Sequence, residues 1–185
     1  RCLSTGKDVH EFTFAGDAQL STTQKKFGNT SLYLDGTGDV LEQNSSSDYA
    51  IGTAPYTLEM WIRPDAASIT GTANLIDMRT GATDVAMRLY IDNGQPRFNV
   101  NGADIVLSDT NVAEDIWYHI AIVRTTTGAN DTKMYLNGAQ VAVGTDANTY
   151  TAKPMKIGAA FNLGNEYSGY IDEIRFSNIA RYAAA

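Results

Sequence analysis

The chain has 185 residues, of which 43% are hydrophobic and 19% charged, with 16 glycines, 4 prolines and a single cysteine. Its net charge of −7 argues against the basic face that a nucleic acid partner needs, and its longest basic run is Lys25-Lys26. No apolar run approaches the ~18 residues of a membrane-spanning helix, and a lone cysteine, Cys2, rules out an internal disulfide and reads as a free thiol near a frayed terminus.

A chain of this length suits one all-β unit over residues 1–185, with its patterned core at about residues 12–177. Helical periodicity is nearly absent. Short alternating segments recur about every ten residues, which predicts a sandwich or barrel. Ser45-Ser46-Ser47 reads as a loop. Tyr56 to Arg63 gives the clearest strand: Tyr56, Leu58, Met60 and Ile62 fall on one face, and Thr57, Glu59, Trp61 and Arg63 on the other. Pro64 ends it, because proline cannot donate to a ladder. Leu89-Tyr90-Ile91 and Arg97-Phe98-Asn99-Val100 flank a hairpin turn at Asp92-Asn93-Gly94-Gln95, and Asn101-Gly102 predicts another. Trp117 to Thr125 is apolar on both faces, so it predicts a central strand covered on both sides. Asn137-Gly138, between Met134-Tyr135-Leu136 and Gln140-Val141-Ala142-Val143, is a strong type I′ turn signal. Gly169 to Phe176 is the last strand, and Ile179-Ala180-Arg181-Tyr182 predicts a short turn or helix docked outside.

Several of these pieces carry a family pattern. Lys26 to Asp39 (KFGNTSLYLDGTGD) resembles the opening motif of laminin-G-like, concanavalin A-like lectin-glucanase domains. Tyr56 to Pro64, Trp117 to Arg124, Leu136-Asn137-Gly138, Lys156-Ile157-Gly158 and Gly169 to Phe176 are similar to further motifs of those domains, in the same order. The resemblance implies an all-β, two-sheet antiparallel jelly-roll sandwich. The segments Gln19 to Gly28 and Ser177 to Tyr182 resemble versions found in phage virion and bacterial surface proteins, which implies an extracellular, virion or cell-surface setting.

Catalysis finds little support in the residues. The paired carboxylates of a glycoside hydrolase have no counterpart in a Glu-x-Asp-x-x-Glu pattern. Glu59 stands alone on its strand, and Asp172 and Glu173, being adjacent, are expected on opposite faces. His119 reads as a structural residue. No nucleophile elbow, phosphate loop or zinc-type cysteine pair is present. The expectation is a non-catalytic protein.

Calcium is the candidate cofactor, since it takes six to eight oxygens. Asp35-Gly36-Thr37-Gly38-Asp39 offers two carboxylates within five residues. In the resembling domains the strands carrying Asp35 and Asp172 lie near each other, which implies a site drawing on Asp35, Asp39, Asp172 and Glu173. The competing reading makes Asp35-Gly36 a turn and Asp172 a cap of the final hairpin.

Glycan binding needs an aromatic platform and a few fixed polar groups in a concave site. Trp61, Glu59 and Arg63 share one strand face, and the loops carry Tyr150, Phe161, Asn162 and Tyr167. Against this stands ordinary packing of Trp61 beneath a covering loop. Two functional readings follow. One is a recognition or adhesion module for a glycan or other surface ligand. The other is a structural decoration of a phage capsid, tail or other extracellular assembly, in which the partners are neighbouring virion or assembly proteins or further copies in a homo-oligomer. Nucleic acid and membrane insertion are not expected.

Overall fold

The computed structural model describes residues 10–182, so Cys2 lies outside the described residues. Strands dominate. In chain order they are β1 (Thr13–Ala15), β2 (Gln19–Ser21), β3 (Ser31–Asp35), β4 (Val40–Ser46) and β5 (Tyr56–Pro64). Then come β6 (Thr72–Asp77), β7 (Arg88–Asp92), β8 (Gln95–Val100), β9 (Ala103–Leu107) and β10 (Tyr118–Arg124). β11 (Thr132–Leu136), β12 (Ala139–Gly144), β13 (Lys153–Ile157) and β14 (Ser168–Ser177) complete the set. A 3-10 turn at Ser47–Tyr49 and one helical turn at Ala66–Ile69 are the helical elements among the described residues.

The strands form two antiparallel seven-stranded sheets, ordered β1-β4-β13-β6-β7-β8-β9 and β12-β11-β10-β5-β14-β3-β2. This is the two-sheet jelly-roll sandwich that the motifs imply. Between the sheets, Tyr56, Leu58, Met60 and Ile62 of β5 meet Leu75, Leu89, Ile91 and Phe98 of the other sheet, all fully buried. β5 is the middle strand of its sheet, flanked by β10 and β14. β10 is covered on both faces as expected: Ile120 and Ile122 point into the core, and Ala121 and Val123 are equally buried on the outside.

The turn chemistry is local and legible. Asn93-Gly94, Asn101-Gly102 and Asn137-Gly138 all take positive φ at both positions, as a type I′ turn requires. One expectation needs correcting, and one is narrowed between its two alternatives. Ser45 and Ser46 belong to β4 rather than to a loop, and Ser46 then caps the 3-10 turn by accepting from the Asp48 amide. The tail after Ser177 is irregular, not helical. It folds back over the outer face of β5, where Thr57 donates to the Ile179 carbonyl at 2.9 Å and accepts from the Arg181 amide at 2.9 Å. The tail supplies the outer cover that a doubly apolar β10 calls for.

One end of the sandwich is fastened by a buried ion pair. Arg124, 0% exposed, lies between the rings of Tyr56 and Tyr150 at 4.8 and 5.0 Å. Its guanidinium reaches Asp146 at 3.2 Å and the carbonyls of Gly52, Ala54 and Asn148 at 3.0, 2.8 and 2.9 Å. The hydroxyls of Tyr56 and Tyr150 donate to the same Asp146 carboxylate, at 3.0 and 2.7 Å. Burial pushes the pKa of both tyrosines well up, as it does for the fully buried Tyr167; for Tyr90, burial and the bond to Asp104 push it up to about 12.

A stability prediction follows from the sign of these shifts. A folded-state pKa raised above the unfolded value of ~10 means that the folded protein holds its protons longer. That stability is complete below pH ~10 and drains away as pH rises toward 12 and beyond. Each of the four groups then withdraws up to about 1.4 kcal/mol per pH unit. Thermal melts across this range should show Tm constant from pH 8 to 9.5 and falling steeply above 10.5. A flat Tm to pH 12 would contradict the assignment.

Candidate functional site

The outer face of β5 presents Thr57, Glu59, Trp61 and Arg63, alternating with the four core residues. Register sets their neighbours. His119 of β10 and Asp172 of β14 lie on either side of Trp61, and Arg175 of β14 lies beside Glu59. A groove of about 400 Å³ opens here, lined by Trp61, Glu59, His119, Phe27, Arg175, Tyr182 and Glu173.

Its floor is charged and fully engaged. Glu59 is 4% exposed and accepts from Arg181 Nε at 2.9 Å, with His119 Nε2 at 3.4 Å and Arg175 Nη1 at 3.7 Å. The Tyr182 hydroxyl also donates to it. Burial lowers the His119 pKa and Glu59 only partly restores it, so the imidazole is neutral at pH 7.

The walls are aromatic. Phe27 meets Trp61 edge-on at 5.8 Å, and the His119 ring lies 5.3 Å from the indole and 6.2 Å from Tyr182. Lys26 Nζ sits over the indole, 4.1 Å from its centroid. The loop that brings Lys26 and Phe27 here is pinned by Asp172, whose Oδ2 accepts from both amides at 2.9 and 3.0 Å. Trp61 is thus partly roofed by a loop, and its remaining surface borders the groove.

β14 bulges between Asp172 and Arg175, and Glu173 sits at the bulge with φ +50°. A bulge inserts one residue and breaks the strict alternation of faces. Asp172 and Glu173 therefore both serve the outer side, correcting the expectation that they point apart.

The structure splits the remaining glycan candidates. Arg63 lies beside the groove, paired with Asp115 at 2.8 Å and 5.8 Å from the Tyr170 ring. Tyr150 and Tyr167 are corrected to core residues: Tyr150 belongs to the Arg124 network, and Tyr167 is 0% exposed with its hydroxyl donating to the Tyr170 carbonyl at 3.3 Å. Both are surrounded by residues distant in sequence, so their loop positions concealed their burial. Phe161 and Asn162 sit over the opposite sheet, where the Phe161 amide donates to Asp77 at 3.0 Å and Arg79 lies over the ring at 5.1 Å. Phe27, His119, Arg175 and Tyr182 complete the groove and were absent from the sequence-based candidates. The one available signal was alternation, which puts His119 on the same outer face as Ala121 and Val123.

The acidic candidates separate as well. Asp35 pairs with Ser168, four residues before Asp172 on β14, so the two aspartates are about 13 Å apart along the sheet. Both Asp172 oxygens accept backbone amides, from Lys26, Phe27 and Glu173. Glu173 is thus corrected to a groove residue and Asp172 to the anchor of the Lys26-Phe27 loop beside it, both apart from Asp35 and Asp39. Asp17 joins those two instead: carboxylate oxygens of Asp17, Asp35 and Asp39 lie within 4.8 Å of one another. Asp39 is fully buried, and its oxygens accept from the Asp17 and Asp35 amides, each at 2.8 Å. Gly16 is required beside them, since a Cβ there would stand 2.4 Å from Asp39 Oδ1. Among the described residues no basic side chain pairs with any of the three. A compact, uncompensated set of hard oxygens fits a calcium-type cation.

Comparison with known proteins places the fold. The family model described as the concanavalin A-like lectin/glucanases superfamily matches residues 35–185, most of the chain. No curated protein sequence matches. Among solved structures, the receptor-binding domain of a botulinum neurotoxin C/D mosaic superposes with TM-score 0.71 at 15% identity, covering 94% of this chain and 43% of that one. A structure of botulinum neurotoxin type C, a toxin whose cell entry is dependent upon interaction with two ganglioside molecules, gives TM-score 0.69 at 12% identity, covering 92% and 43%. The binding domain of botulinum neurotoxin DC in complex with SialylT gives 0.65 at 14%, again covering 92% and 43%. The chain spans less than half the length of each, and identities this low establish the shared fold alone.

Proposed function

Since the chain belongs to the concanavalin A-like lectin/glucanase superfamily, we propose that it is a non-catalytic recognition module that holds a glycan in the groove beside Trp61, at a cell or virion surface. The observation that carries this reading is the groove itself: indole, phenyl, imidazole and phenol rings around a fixed charged floor. Sugars bind by laying their apolar faces on aromatic rings while hydroxyls meet preset polar groups. Glu59, already shared among Arg181, His119, Arg175 and Tyr182, serves to orient those donors and is not free to act as an acid or nucleophile. The toxin structures named above, one of a toxin whose cell entry depends on gangliosides and one of a binding domain in complex with SialylT, share this sandwich over 43% of their own chains and lend support to that extent. On a broad glycan array the protein should be retained by a defined set of sugars, and the Trp61→Ala variant should lose them. Retention of no glycan at millimolar sensitivity would sink the proposal.

We further propose that Asp17, Asp35 and Asp39 hold a calcium ion, which would neutralise their clustered charge and tie the segment after β1 to the end of β3. Chelation by EDTA should lower Tm by several degrees, because an ion that binds only the folded state stabilises it by mass action. Asp35→Asn should abolish that response. A Tm unmoved by EDTA and by added calcium would remove the ion.

A further inference from the structure

Eight residues other than glycine take positive φ among the described residues. Five are asparagines and one is an aspartate, the types that tolerate the left-handed region best. The other two are Leu163, in the loop before β14, and Glu173. Glu173 is the one that lies inside a strand. A bulge whose first residue is left-handed ordinarily carries glycine there, so a glutamate at φ +50° is costly backbone.

The fold gains no contact from that side chain. Glu173 is exposed, and among the described residues no basic group pairs with its carboxylate. The bond that holds it runs through its amide, which donates to Asp172 Oδ1 at 2.9 Å. The other Asp172 oxygen takes the Lys26 and Phe27 amides, so one carboxylate fixes both Glu173 and the loop beside Trp61. Strain kept for an exposed, unpartnered side chain points to use at a surface, and the surface here is the groove that Glu173 lines with Trp61 and Arg175. The Arg175 side chain is 49% exposed and stands 3.7 Å from Glu59, beyond hydrogen-bond distance, so its donors are open to a ligand.

An ionised carboxylate only accepts and a guanidinium only donates. A sugar hydroxyl does both. A vicinal diol can therefore donate to Glu173 and accept from Arg175 while the apolar face of its ring lies on Trp61. Charge narrows the class further. The carboxylate of an acidic sugar would face Glu173, and the ammonium of an amino sugar would face Arg175, Arg181 and Lys26. A neutral diol meets no like charge. Resting on the reading of this groove as a glycan site, we propose that Glu173 is its specificity-determining residue, selecting neutral sugars with a free vicinal diol, and that its left-handed backbone is kept for that contact.

The test probes one array, carrying neutral, acidic and amino glycans side by side, with the full chain and with two variants. The unmodified chain should be retained by neutral glycans with an unsubstituted vicinal diol, and about tenfold or more weakly by acidic and amino glycans of the same linkage. Glu173→Gln keeps the shape without the charge and should weaken retention about tenfold. Glu173→Gly should weaken it at least as far, with Tm unchanged or raised, because glycine accepts φ +50° freely. A Tm lowered by Glu173→Gly would overturn the claim that the backbone is kept for binding and make the residue structural. Acidic or amino glycans retained as strongly as neutral ones, or undiminished retention in both variants, would overturn the role of Glu173 and leave the groove a glycan site. Retention of no glycan would overturn both readings together.

Discussion

Replacing Arg124 by alanine should cost about 3–5 kcal/mol of stability, the largest single loss expected anywhere on this surface or in this core. The figure comes from the partners left behind. Asp146, fully buried, would lose its counterion while still accepting from Tyr56 and Tyr150. The carbonyls of Gly52, Ala54 and Asn148 would lose their donors, and two rings would lose the cation between them. For a domain of this size each kcal/mol moves Tm by ~2–4 °C, so the variant should melt roughly 6–20 °C lower. Arg124→Lys should fall in between, because an ammonium cannot span acceptors arranged around a planar fork. A loss under about 1 kcal/mol for the alanine variant would mean that the network contributes little beyond packing.

The second large effect concerns binding. Trp61→Ala should weaken the affinity for any captured glycan by about 30-fold, the ~2 kcal/mol typical of a tryptophan at the centre of a contact. Stability should change far less than for Arg124. Trp61 faces outward from β5, and its neighbours Phe27, Lys26 and His119 are themselves at least partly exposed. Lys26→Ala separates roofing from platform. If the ammonium merely shields the indole, its removal should leave affinity unchanged or improve it; if it donates to the sugar, affinity should drop.

How much of this was legible in the sequence depends on the range of the physics involved. The alternation of Tyr56, Leu58, Met60 and Ile62 with Thr57, Glu59, Trp61 and Arg63 is a strand property, and it located both the core face and the floor of the groove. The Asn-Gly pairs located hairpins because positive φ at two consecutive residues is a local demand. The groove itself is a product of register and return. Phe27 reaches Trp61 because Asp172, 145 residues further on, captures its amide. Tyr182 reaches Glu59 because the tail doubles back across 123 residues. The bulge that redirects Glu173 leaves no mark in the alternation of β14, so the adjacent carboxylates read as opposed. Asp17 joins Asp35 and Asp39 through backbone contacts across the start of the sandwich, which spacing alone does not reveal. Tyr150 and Tyr167 misled for the converse reason: residues in loops by pattern are walls of the core by contact.

The most direct test of the groove uses its own indole. The chain has two tryptophans, Trp61 and Trp117, so Trp117→Phe leaves Trp61 as the sole reporter. Titrating that variant with a glycan retained on the array should change the Trp61 emission saturably, with the midpoint found by calorimetry on the unmodified protein. Calorimetric binding with no change in Trp61 emission, and with full affinity surviving in Trp61→Ala, would place the glycan elsewhere and contradict the account.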